Sequence, residues 1–195
     1  MVIVKDGVVY KLWVPKNEVT DFEPMIKYHI KDIFGDKCEY FAKRKLKTVA
    51  NNKSIPDGFV VDFKREKWYI VELKLLCDDA KNRIAKQIVG YRNAIVNQDT
   101  RRQIYKAIRS VKAADFLDDL ISDKDPKIVI VINSLEGQLG KQFVEMAKGT
   151  EKSVNIIEFK TFSREGVDPQ KVHIHVFEPL YKPTTKDQEI PTTFR

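Results

Sequence analysis

The sequence predicts an α/β domain, a central mixed β-sheet flanked by helices. Two observations carry this. Residues 54–76, SIPDGFVVDFKREKWYIVELKLL, read as two apolar strands joined by a polar turn, hence a local antiparallel pair. Residues 127–133, KIVIVIN, form an unbroken β-branched run of the kind buried on both faces, and two helical segments separate it from the pair. A local meander followed by crossover helices gives a sheet with antiparallel and parallel neighbours.

The elements follow in order. Residues 2–14 alternate like a hairpin and end at Pro15. A helix is expected over 20–34, where Val19, Phe22, Ile26, Ile30 and Ile33 recur near helical spacing before Gly35. Thr20 and Glu23 match a capping box, with Pro24 in the first turn. Residues 39–47 read as a strand with a basic end, then strands 58–64 and 67–76 flank a turn at Arg65 and Glu66. Ile84, Ile88, Tyr91 and Ile95 make one stripe of a helix over 80–97, and a second helix fits 101–121. After strand 127–133, a helix near 138–148 and strands at 153–162 and 171–178 complete the chain. The reading is one domain over 1–181, with a core of about 20–133 and an α/β extension of about 134–181. Residues 182–195 have the composition of a polar tail.

Composition narrows the function. The chain has 195 residues, 43% of them hydrophobic, which suits a globular domain and not a disordered one. The longest apolar run, IVIVI, is strand-sized, far short of the roughly 20 residues that span a bilayer. With no secretory h-region and two cysteines outside any disulfide or zinc spacing, the expectation is a soluble cytoplasmic protein without a membrane partner. Lys and Arg number 35 against 28 Asp and Glu, a formal charge of +7, compatible with a polyanionic partner.

Within the apolar strand WYIVELKLL, Glu72 and Lys74 lie two residues apart and project from one face. Burying such a pair costs several kcal/mol unless something compensates. A divalent cation would do so, since Mg²⁺ takes one or two carboxylates together with waters and phosphate oxygens. Asp57, at the mouth of the preceding strand, supplies a second carboxylate. Counting about a turn at 65 and 66 puts Asp57 two pairs beyond Glu72, so this register asks for a bend near Gly58. Asp62 is the alternative ligand, but it falls nearer the turn, where a solvated aspartate is expected. A plain cross-face salt bridge is the bland alternative for Glu72 and Lys74.

Pro56-Asp57 followed, after 14 intervening residues, by Glu72-Leu73-Lys74 resembles the PD-(D/E)xK, or restriction-endonuclease-like, nuclease superfamily. Glu23 on the first helix and Gln87-Ile88-Val89-Gly90-Tyr91 after the strand match further elements of it, nearest in pattern to the RecB-like and NucS-like branches. The resemblance spans roughly residues 20–133. It implies a restriction-endonuclease-like core and a metal-dependent nuclease acting on DNA, with RNA not excluded. Mg²⁺ would be the cofactor, replaceable by Mn²⁺. Asp57, Glu72 and the backbone carbonyl of Leu73 would hold it, with Glu23 a further candidate ligand. Lys74 would act on the water, with Glu23 and Gln87 in support. The other reading is a non-catalytic nucleic-acid-binding or assembly module, and a homodimer is compatible with either.

Lys43, Arg44 and Lys45 on one strand end, and Lys81, Arg83, Lys86, Arg92, Arg101 and Arg102 on two successive helices, with Tyr91 among them, are the candidate phosphate contacts. Solvated helix faces are the alternative. His173 and His175 alternate with Val172, Ile174 and Val176, so both rings leave one face. Two histidines at that spacing can hold a transition metal, but no third ligand stands nearby, and an edge strand is the preferred reading.

Overall fold

The computed structural model describes residues 1–42, 46–47, 53–168 and 171–182. Lys43, Arg44, Lys45 and most of the tail lie outside the described residues. The chain is mixed α/β. After the hairpin β1 (Val2–Lys5) and β2 (Val8–Trp13), a π-helical turn (Glu18–Phe22) leads into α1 (Glu23–Tyr28) and α2 (Ile30–Phe34). Next come β3 (Cys38–Ala42), the short pair β4 (Leu46–Lys47) and β5 (Lys53–Ser54), then β6 (Gly58–Asp62) and β7 (Lys67–Lys74). Helices α3 (Asp78–Ile95), α4 (Gln98–Arg109) and α5 (Leu117–Asp123) precede β8 (Lys127–Ile132). The chain continues through α6 (Gly137–Thr150), β9 (Asn155–Glu158), β10 (Lys160–Arg164) and β11 (His173–Val176).

The main sheet has the order β3-β6-β7-β8-β9. Its first three strands form the expected antiparallel meander, while β7, β8 and β9 run parallel. Strand alternation sorts the core into two layers. Phe59, Val61, Trp68, Ile70, Ile128, Ile130 and Ile132 pack against α3 to α6, and Val60, Tyr69, Val71, Leu73, Val129 and Val131 pack against α1 and α2. β7 is therefore covered on both faces, and every residue from Trp68 to Lys74 is buried.

Several expected boundaries move. The single helix over 20–34 is broken at His29, whose backbone (φ −96°, ψ 16°) sits in the bridge region between α1 and α2. The start of that segment is capped by Asn17, whose side chain accepts from the N–H groups of Val19 and Thr20, so the Thr20–Glu23 capping box does not form. The helix expected over 101–121 is two helices. The strand expected at 153–162 is also two, and they belong to different sheets: β9 extends the main one, and β10 joins β1-β2-β10-β11. The main sheet thus reaches past residue 133, and the additions at the two chain ends pair with each other, Thr161 opposite Trp13.

The hairpin register also differs. Asp62 pairs with Lys67 and Gly58 with Val71, so the turn holds four residues, 63–66. Asp62 fixes it, accepting from the N–H groups of Lys64 (3.0 Å) and Arg65 (2.9 Å) and pairing with the Arg65 guanidinium at 2.9 Å. Glu66 completes the turn at φ +48°. Asp62 is accordingly buried, not solvated, and belongs to the turn. The ladder ends at the Gly58–Val71 pair, and the chain bends at Asp57, one residue beyond it, as expected.

Gly58 is required by a close approach. A Cβ there would lie 2.4 Å from the Tyr40 ring, whose hydroxyl donates to the backbone carbonyl of Asp57 at 2.6 Å. Gly58→Ala is expected to cost about 1–3 kcal/mol through overpacking, read as a lower urea midpoint at unchanged slope. An unchanged midpoint would mean that the Tyr40 ring yields freely.

Candidate active site

Glu72 and Lys74 project from the α3 face of β7, and both are buried, at 1% and 6% exposure. The Lys74 ammonium lies 2.6 Å from Glu72 Oε1 and donates to the Leu73 carbonyl at 3.1 Å. Glu72 Oε1 also accepts from Gln87 Nε2 at 2.6 Å, and Oε2 accepts from the Tyr91 hydroxyl. Gln87 and Tyr91 stand one turn apart on α3, so both reach the same carboxylate. Tyr91 is thus a buried partner of Glu72, not a nucleic-acid contact, a correction forced by its place on the Ile84–Ile88–Ile95 stripe.

Asp57 is 7% exposed, and its Oδ2 accepts from the Leu73 N–H at 2.8 Å. This bond ties the mouth of β6 to the residue between Glu72 and Lys74. Glu23, the first residue of α1, is buried and pairs with Lys27 at 2.7 Å. The Tyr40 hydroxyl titrates well above the usual phenol range, first through burial and then through the charges of Asp57, Glu23 and Glu72. Three of the expected carboxylates therefore act on one phenol.

Glu18 was not among the expected residues. From the turn preceding α1 its Oε2 accepts from the Leu75 N–H at 3.1 Å, and its Oε1 lies 3.5 Å from the Lys74 ammonium. It closes the far side of Lys74. Nothing at position 18 announces this, because the contact depends on how the chain crosses the end of β7.

The charges are poised against their surroundings. Burial pushes the Glu72 carboxyl above the usual carboxylate range and Asp57 adds to it, while Lys74 and Tyr91 pull the other way. Burial also works against the charge on Lys74, but Glu72, Glu18 and Asp57 outweigh it and hold the ammonium above the usual lysine range. As placed, Lys74 donates to the Leu73 carbonyl and pairs with Glu72.

A hard divalent cation suits this donor set. Two carboxylates and the Leu73 carbonyl are oxygen donors, and Glu72 Oε2 keeps a second lone pair beside its single hydrogen bond. Gln87 Oε1 is a buried oxygen without a hydrogen-bond partner among the described residues, the kind of atom that a cation or its water shell would satisfy.

The expected phosphate contacts separate into groups. Lys86 is exposed, as are Arg83 and Arg102, which pair weakly with Asp79 and Asp99 on their own helices. Lys81 donates to Gln142 of α6 at 2.8 Å. Arg92 is held by Glu151, Ser153 and the Pro126 carbonyl, which secures the link between α3 and the β8 approach. Arg101 needs outright correction. It is 6% exposed, and its guanidinium donates to the carbonyls of Ile95 (2.6 Å), Ile121 (2.9 Å) and Lys124 (2.9 Å) and to Asp125. It ties helix ends together and does not face a ligand.

Among the described residues no helix is long and apolar enough to cross a membrane. Comparison with known protein families, curated proteins and solved structures finds no match to this chain.

Proposed function

We propose that the chain is a cytoplasmic Mg²⁺-dependent nuclease with a restriction-endonuclease-like core, hydrolysing phosphodiester bonds of DNA. The observation that carries this reading is the convergence of Asp57, at the mouth of β6 and bonded to the Leu73 N–H, with Glu72 on β7, and Lys74 and Gln87 on the Glu72 carboxylate. Asp57, Glu72 and the Leu73 carbonyl would hold the ion, with Glu23 as a further candidate. When bound, Mg²⁺ supplies Lewis-acid polarisation of a phosphate oxygen and neutralises charge there. Lys74 orients the attacking water through its N–H donors and offers positive charge where the phosphorane charge develops. Gln87 and Tyr91 fix the Glu72 carboxylate, and Glu18 keeps the Lys74 ammonium at the strand end. Exposed Lys86, Arg83 and Arg102 are available for sequence-independent phosphate contacts.

The second reading is a non-catalytic nucleic-acid-binding module. One observation favours it: the Lys74 ammonium lies 2.6 Å from Glu72 and neutralises it as a buried ion pair. Calorimetric Mn²⁺ titration separates the two. The nuclease reading requires a site in the wild type that Asp57→Ala loses. It also requires Mg²⁺- or Mn²⁺-dependent cleavage when supercoiled, linear, single-stranded and branched DNA and single-stranded RNA are incubated with the protein. Absence of both binding and cleavage would leave the binding module.

A further inference from the structure

Two histidines on the strand β11 become three in the folded chain. The break between α1 and α2 places His29 against His175, ring centroids 4.5 Å apart, and His173 lies 4.3 Å from His175 on its other side. One ring nitrogen from each of the three lies within 4.8 Å of the others. The rings border a cavity of about 470 Å³ that Asp21, Met25 and Tyr28 also line.

The contacts of two of the rings bear on which nitrogens face the cavity. His29 Nδ1 lies 2.7 Å from Asp32 Oδ2, so Nδ1–H donates to the carboxylate and the neutral ring keeps its Nε2 lone pair for a ligand. Carboxylate–histidine pairs of this form orient metal-binding imidazoles. Thr161 stands directly across the β10–β11 ladder from His175. Its hydroxyl lies 3.8 Å from the Met25 sulfur and 3.1 Å from His175 Nδ1, and in the Nδ1–H tautomer, the one that a metal at Nε2 selects, it accepts from that nitrogen. The Nε2 atom of His175 then carries a lone pair, is buried, and has no hydrogen-bond partner among the described residues. A buried, unpartnered ring nitrogen calls for an explanation.

The geometry points to a transition-metal site of the zinc class, made by His29, His173 and His175, with its fourth position open to the cavity. Imidazole nitrogens suit Zn²⁺, Co²⁺ and Ni²⁺ and not Mg²⁺, so the site is chemically separate from the carboxylate cluster. A tetrahedral ion with Zn–N near 2.0–2.1 Å needs nitrogens about 3.4 Å apart. Ring nitrogens that lie within 4.8 Å of one another would have to approach by at most about 1.4 Å to reach that spacing. The competing account is an aromatic cluster, since Phe159 lies 4.6 Å from His175 and stacks on Phe177. Packing alone gives no reason for the orphaned Nε2 or for the Asp32 carboxylate behind His29.

The test uses the untagged chain in excess Mg²⁺, which occupies hard oxygen sites and competes poorly for imidazoles. Zn²⁺ is titrated by calorimetry and Co²⁺ by visible absorption. The expected result is one site per chain and an intense Co²⁺ band of tetrahedral type. His29→Ala, His173→Ala and His175→Ala should each weaken Zn²⁺ by about 100-fold or more, and Asp32→Ala by about 10- to 100-fold. Zn²⁺ should raise the melting temperature of the wild type and not of these variants. Should His175→Ala fold poorly, the half-exposed His173→Asn carries the same test. No Co²⁺ band in the wild type, or Zn²⁺ affinity indifferent to the loss of any one imidazole, overturns the site.

Discussion

Lys74→Ala is expected to lower DNA cleavage by roughly 10²- to 10³-fold, the usual worth of a preorganised charge at a developing oxyanion. Its effect on stability depends on the ion. Without metal, the variant leaves Glu72 charged, 1% exposed and stripped of its nearest cation. Removing one partner of a buried pair costs about 3–5 kcal/mol. Mn²⁺ at Asp57 and Glu72 replaces the missing charge, so the melting temperature of the variant should rise with Mn²⁺ by more than that of the wild type. Lys74→Met keeps the apolar stem and separates lost packing from lost charge. Both variants should retain Mn²⁺ binding and lose cleavage. A Lys74→Ala protein that cleaves as fast as wild type would reduce the lysine to a structural ion-pair partner.

Arg101→Ala is expected to destabilise the fold by about 3–5 kcal/mol. Its guanidinium serves carbonyls at the ends of α3 and α5, and each buried carbonyl left unpaired costs about 1–3 kcal/mol. For a chain of this size that lowers the melting temperature by on the order of 10 °C. Arg102→Ala, one residue away with a side chain 71% exposed, should change stability by less than about 0.5 kcal/mol. If α4 faces DNA, it should instead reduce the salt slope of binding by about 1. Unchanged melting of Arg101→Ala, together with weakened DNA binding, would return Arg101 to the ligand face.

The two arginines show where the sequence was readable and where it was not. Arg101 carried a usable signal: it falls on the same helical stripe as Ile104 and Ile108, at spacings of three and seven, and so points inward with them. Charge alone marks Arg101 as a phosphate contact, whereas its position on the apolar stripe marks it as buried. The β7 face was legible for the opposite reason, because strict alternation in WYIVELKLL leaves Glu72 and Lys74 no exit except into the sheet face. The register of β6 on β7 was hidden in the conformation of the turn, set by the Asp62 cap and the left-handed Glu66. Glu18 and His29 were hidden more deeply. Each meets partners more than 50 residues away, and no local pattern encodes such a meeting. The pairing of the two chain ends into a second sheet was invisible on the same ground.

The placement of β9 has a consequence for the behaviour of β8. KIVIVI is uncharged past its first residue, β-branched throughout and free of proline, the composition of a strand that stacks readily with copies of itself. In the fold β7 takes one of its edges and β9 the other, and the Phe159 N–H donates to Ile132 at the strand end. A chain cut after residue 133 would keep the carboxylate cluster and uncover an open, sticky edge. Residues 134–158 thus act as a sheath against self-association, and their removal would turn a sheet interior into a template for aggregation.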